Sequence, residues 1–143
     1  MNDELFLLKL GEIVLKGLNR RGFEERLMGT LPRRLYPYGR FRTYSRQSII
    51  YVEPLEETCD LDGAWESLQK LFGVVALSRA KACDKDPDAF FRAACTYLDG
   101  QLRGARTFKV ESKRSDKTFP MTSIELSQYV GGLLDDAYPN LTV

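Results

Sequence analysis

The sequence predicts an α+β protein of two consecutive units. The first is a βαββαβ sandwich ending near Ala82, and the second is an α/β unit that stops before it is complete. Three observations carry that reading. As far as Ala82, short strand-like runs interleave with longer amphipathic ones in the order β-α-β-β-α-β. A turn with a helix-start signal, Asp84–Pro87, then restarts the chain. After it come a helix, a strand, a helix and only the first residues of another strand, Leu141–Val143. The chain is therefore expected to be the N-terminal piece of a longer protein.

Leu5–Leu10 is an apolar run fit for a buried strand, and Gly11 ends it. Gly11–Arg20 (GEIVLKGLNR) suits a loop or short hairpin, with Asn19 as N-cap of the next helix. That helix carries Phe23, Leu27, Leu31 and Leu35 at i, i+4 spacing. Pro32 lacks an N–H and is expected to kink or shorten it. Tyr38–Arg46 and Ser48–Glu53 form a hairpin, closed by Pro54 and an acidic loop. Leu61–Phe72 is an amphipathic helix stopped by Gly73, and Val74–Ala82 is a strand. This order is that of a ferredoxin-like sandwich. Asp86 or Asp88 caps a helix over Ala89–Leu102, with Pro87 tolerated at its start. Around Phe108 a strand alternates Phe108 and Val110 with Lys109 and Glu111. The last helix begins at Thr122 or Ser123 and carries Ile124, Leu126, Tyr129, Val130, Leu133 and Leu134.

The 143 residues suffice for one respectable core or two small ones. A net charge of +1 hides an uneven distribution. Lys9–Arg46 is strongly basic, Gln47–Gly63 is acidic without any Lys or Arg, and Arg103–Lys117 is basic again. Such zoning suits a face turned to a polyanion. The chain has no histidine, which removes the commonest general base and metal ligand. Cys59, Cys83 and Cys95 form no CxxC pair and read as small buried residues in a reducing cytoplasm. No apolar run reaches the ~18 residues of a membrane span. Neither GxxxxGK[ST] nor GxGxxG occurs, and adjacent carboxylates such as Glu24–Glu25 diverge on a helix. A catalytic Lys113 or Lys117 would need a dry pocket that so polar a loop does not offer. Gly131–Gly132 reads as a close-packing pair.

Arg106–Gly132 is the most informative stretch. A strand, a basic loop with Lys113, Arg114, Ser115 and Lys117, and a helix start together make a corner suited to phosphate. Arg20 and Arg21 oppose the dipole at the start of the first helix, a weak pointer to an anionic partner.

Two of these stretches resemble one known family. Gly11–Leu27 (GEIVLKGLNRRGFEERL) resembles the opening motif of the tRNA 4-thiouridine synthetases, or tRNA sulfurtransferases. Thr107–Gly132 (TFKVESKRSDKTFPMTSIELSQYVGG) resembles the core of their THUMP domain. The resemblance implies an N-terminal ferredoxin-like domain over 1–82 and a C-terminally truncated THUMP domain over 83–143. As a sequence profile, THUMP is allowed to start as early as about residue 60. In that family these domains hold the acceptor end of tRNA. A PP-loop domain, with ATP and Mg, then activates uridine 8 for sulfur relayed from a cysteine desulfurase and a sulfur-carrier protein. The family also serves thiazole synthesis for thiamine. None of the PP-loop residues is in this sequence, so no cofactor is expected on it.

The residues expected to touch RNA are Lys16, Asn19, Arg20 and Arg21 in the first domain, and Lys109, Lys113, Arg114 and Lys117 in the second. Phe119 is expected to pack or to stack on a base, packing being favoured. Contact through phosphate, shape and the exposed 3′ end is expected, in the cytoplasm and away from membranes, with a homodimer left open. The competing reading is a non-catalytic ferredoxin-like regulatory or protein-docking module, which predicts scattered cations and an exposed apolar patch.

Overall fold

The computed structural model describes residues 4–10, 20–71 and 75–142. The chain divides into two compact units, Met1–Ala82 and Cys83–Val143.

The first unit runs β1 (Glu4–Leu10), α1 (Arg20–Leu35), a 3-10 turn (Tyr36–Tyr38), β2 (Phe41–Arg46), β3 (Ile49–Pro54), α2 (Leu61–Gln69) and β4 (Val75–Lys81). The sheet order is β2-β3-β1-β4, and every neighbouring pair is antiparallel. This is the ferredoxin-like sandwich that the element order predicts. The period of two along each strand sends Phe6, Leu8, Ile50 and Val52 to one face, where all are buried. Leu27, Leu31 and Leu35 of α1 and Ala64 and Leu68 of α2 close over them. Leu5, Leu7, Tyr44, Ile49 and Tyr51 alternate to the other face and stay outside that core.

Pro32 does not shorten α1, which continues to Leu35 and into the 3-10 turn. Pro32 is exposed, while Leu31 and Leu35 on either side of it are buried. Their packing holds the last turn despite the hydrogen bond that proline removes. The second helix ends at Gln69, earlier than its apolar pattern predicts. The Lys70 amide there bonds back to the Leu68 and Ser67 carbonyls. Asp60 caps its start, accepting from the Gly63 amide at 3.0 Å. Gly39, at φ +128°, turns the chain into β2 directly beneath Cys59.

The hairpin turns on Gln47 and Ser48, both at positive φ (53° and 67°). A two-residue turn of this kind favours Asn-Gly, because L side chains other than Asn and Asp resist the left-handed region. Gln47→Asn/Ser48→Gly is expected to raise stability by about 1 kcal/mol, seen as a higher denaturant midpoint at unchanged m.

The second unit contains α3 (Pro87–Tyr97), α4 (Asp99–Gly104) and α5 (Ser123–Ala137). Asp86 caps α3 through the Ala89 amide at 3.0 Å, with Pro87 in the first turn. The single helix expected over Ala89–Leu102 is broken at Leu98 (φ −109°, ψ 11°). Asp99 restarts it, with its carboxylate held by Arg103 Nε at 2.9 Å and by the Tyr138 hydroxyl at 2.7 Å. The strand expected at Phe108 is reduced to one parallel bridge, Thr107 to Thr142. A strand needs neighbours, and among the described residues only the segment at Thr142 supplies one. The core consists of Val130, Leu134, Tyr138 and Leu141, packed by Phe90, Phe91, Leu102, Phe108 and Val110 among others. Asn140 ties the turn after α4, its Nδ2 donating to the carbonyls of Leu102, Arg103 and Ala105 at 3.0–3.2 Å.

The thiols are free but not buried as their type suggests: Cys83 is exposed, and Cys59 and Cys95 are half-buried. Partial burial, then the neighbouring Asp84, push the Cys83 thiol up and away from thiolate. Gly131 makes only an ordinary approach to Val110, with 3.7 Å left for a Cβ, and Gly132 faces open space. Close packing does not require this pair.

Candidate nucleic-acid interface

The basic loop of the second unit is shaped by its own polar groups. Asp116 accepts from the Thr118 hydroxyl at 2.6 Å and the Thr118 amide at 3.0 Å, and pairs with Lys85 at 3.1 Å. These donors, the Thr118 hydroxyl first, hold its carboxyl well below the usual range, at about 2. Arg114 Nη1 donates to the carbonyls of Phe119 and Met121 at 3.3 and 3.2 Å. An arginine expected to contact RNA thus also straps the loop to the approach of α5. Phe119 stacks on Phe90 of α3, with centroids 6.1 Å apart and planes 28° apart. Lys85, Phe90, Lys113, Arg114, Ser115, Asp116, Phe119 and Leu126 line an open cavity of about 140 Å³.

The start of α5 is less open to anions than its sequence suggests. Thr122 Oγ1 accepts from the Glu125 amide at 3.1 Å, and Glu125 Oε1 accepts from the Thr122 amide at 3.2 Å. This capping box fills two donor positions and places a carboxylate at the positive end of the helix.

The predicted contact residues separate accordingly. Lys113, Arg114 and Phe119 share the cavity. Lys117 is exposed on the same loop but does not line the cavity. Among the described residues, neither Lys113 nor Lys117 has an ion-pair partner. Lys109 lies elsewhere, in a depression with Phe108, Val110 and Gly131, and pairs with Glu111 at 3.1 Å. Lys16 and Asn19 fall outside the described residues, and Arg20 and Arg21 lie in the first turn of α1. Sequence reasoning missed Lys85 and Asp116 as parts of the loop. The Asp-x-Thr spacing of Asp116 and Thr118, typical of side chains that bond their own backbone, was the available signal.

Among the described residues no helix is long and apolar enough to cross a membrane, and no three His, Cys, Asp or Glu side chains gather as a metal would require.

Residues 5–78 match the profile of the ThiI ferredoxin-like domain, and residues 84–143 match that of the THUMP domain. A probable tRNA sulfurtransferase of Acetivibrio thermocellus is 39% identical over 98% of this chain and 36% of its own length. One from Staphylococcus aureus is 31% identical over 100% of this chain and 35% of its own. The chain thus spans about a third of the length of the curated relatives it matches. Among solved structures, a 4-thiouridine synthetase–RNA complex with bound ATP superposes with a TM-score of 0.73 at 25% identity, over 98% of this chain and 35% of that one. PH1313 from Pyrococcus horikoshii Ot3 superposes at 0.75 and 22% identity, over 98% of this chain and 46% of that one, and shares the fold.

Proposed function

Since the chain belongs to the ThiI ferredoxin-like family, with a THUMP domain following, we propose that it is the tRNA-binding region of a tRNA sulfurtransferase. The observation that carries the reading is the loop Lys113–Phe119. Arg114 and Asp116 fix its shape, and Lys113 and Lys117 are exposed on it, without an ion-pair partner among the described residues. A pre-ordered loop suits a phosphate backbone, because little backbone freedom is lost when it binds. In this reading Lys113 and Lys117 neutralise phosphates. Arg114 orders the loop and adds charge, and Phe119 packs. Lys109, already paired, contributes less. Lys16, Asn19, Arg20 and Arg21 form a second contact from the first unit.

The RNA held is the acceptor end of tRNA, placed for formation of 4-thiouridine at position 8, in the cytoplasm. The same parent supplies sulfur for thiamine thiazole synthesis, and a cysteine desulfurase with a sulfur carrier feeds it. ATP and magnesium belong to the PP-loop domain of such a protein.

The test is a salt titration of tRNA binding. Lys113→Ala/Lys117→Ala is expected to weaken binding about tenfold and to make the slope of log affinity against log salt shallower by about 2. Unchanged affinity and slope would move the contact away from this loop. No binding by the unmodified chain at low salt would overturn the reading.

A further inference from the structure

The first unit carries a second surface that the loop does not use, the sheet face turned away from α1 and α2. Strand register puts Arg42, Tyr44 and Arg46 of β2 on this face, with Tyr51 directly opposite Tyr44 and Leu7 opposite Tyr51. The rings of Tyr44 and Tyr51 are stacked, 4.9 Å between centroids and 6° between planes. Both rings are half-buried, so part of each stays accessible. The Arg42 guanidinium lies 4.6 Å from the Tyr44 centroid. Lys9 joins the same face through its register with Ile49. Lys9, Arg42 and Arg46 are exposed, and none makes an ion pair among the described residues. The one carboxylate that strand register puts on this face among the described residues, Glu53, accepts from the Tyr44 hydroxyl and fixes that ring.

We infer that this face binds single-stranded RNA, with an unpaired base stacking on the Tyr44–Tyr51 pair and Lys9, Arg42 and Arg46 holding the flanking phosphates. Three features favour that occupant over an apolar partner. The aromatic pair is pre-stacked and anchored, so a base adds a layer without ordering the rings. Arginine already occupies a ring face, the position where a planar base exchanges with a planar cation. Three cations against one carboxylate match a polyanion. Four-stranded sheets with exposed aromatics and flanking cations are a general solution for reading unpaired nucleotides, since every base has a π-face. The inference rests on the RNA-binding reading above, and it adds a site for unpaired nucleotides distinct from the THUMP loop.

The test titrates the full chain with a short single-stranded RNA carrying 2-aminopurine, beside a blunt RNA duplex and whole tRNA. The expected result is quenching of 2-aminopurine on binding, with the single strand preferred to the duplex. Tyr44→Ala/Tyr51→Ala should lose about tenfold or more for the single strand, whereas Tyr44→Phe/Tyr51→Phe should stay within about twofold. Single-strand binding undiminished in a folded Ala variant would overturn the inference. If the Ala variant does not fold, photo-crosslinking of 5-iodouridine RNA to the unmodified chain decides. A crosslink within residues 41–54 supports the site, and crosslinks confined elsewhere overturn it. Whole-tRNA binding by the unmodified chain without single-strand binding would sink this surface alone. Failure of both would sink the RNA reading as well.

Discussion

Phe6→Ala is expected to destabilise the first unit by about 3–5 kcal/mol. Phe6 is fully buried at the centre of β1, between β3 and β4. Its ring lies 5.4 Å from the Trp65 ring of α2, centroid to centroid, and 5.6 Å from the Arg79 guanidinium. Arg79 in turn pairs with Glu4 and, at 3.0 Å, with Asp62 of α2. Truncation opens a cavity and also removes the surface on which that guanidinium rests. A unit of this size typically holds about 4–12 kcal/mol in total, so the variant should sit near the edge of folding. Denaturant titration followed by Trp65 fluorescence checks the loss, and amide exchange should rise across residues 4–10 and 49–54. A loss below about 1 kcal/mol would mean that Phe6 is not central to this core.

Gly39→Ala is expected to cost about 2–5 kcal/mol, from two sources that a double-mutant cycle separates. The backbone at φ +128° resists any L side chain. A Cβ at this position would also lie 2.7 Å from Cys59 Sγ and 3.1 Å from Cys59 Cα. The cysteine cannot simply swing away, because its thiol donates to the Arg40 carbonyl at 3.2 Å and its neighbour Asp60 caps α2. Cys59→Ala should recover only the part of the loss that comes from sulfur, since the backbone contact and the dihedral strain stay. Urea midpoints of the two single variants and the double variant give the coupling. Full recovery would show that the dihedral costs nothing here.

The first unit was legible in the sequence because each local signal agreed with its neighbours. Apolar runs, caps and turn residues from Leu5 to Ala82 gave the order that the sheet adopts. Pro32 misled because a propensity describes an isolated helix, whereas Leu31 and Leu35 are fixed by a core to which α1 contributes one side. In the second unit the Phe108 pattern was that of a strand, but a pattern specifies a face and pairing requires a partner. The cations of the candidate site were visible as a cluster, and their division of labour was not. Arg114 bonds two carbonyls brought near by the bend through Pro120, which sequence spacing does not reveal. The Lys109–Glu111 pair could have been anticipated, because i and i+2 share one side of an extended chain. The Tyr44–Tyr51 stack follows from the hairpin register, and that in turn follows from a turn of two residues.

The Asn140 contacts bear on how long the second unit keeps its shape. One side-chain nitrogen serves three carbonyl oxygens, so the position requires a donor. Spontaneous hydrolysis of that amide, the common chemical ageing of asparagine, would put a carboxylate where three oxygens already converge. Attraction would become repulsion beneath Ala105, at the point where the chain leaves α4 for the Thr107 bridge. A single covalent change, invisible in the genome, would then undo the tie between the last turn of the chain and the segment leading to its basic loop.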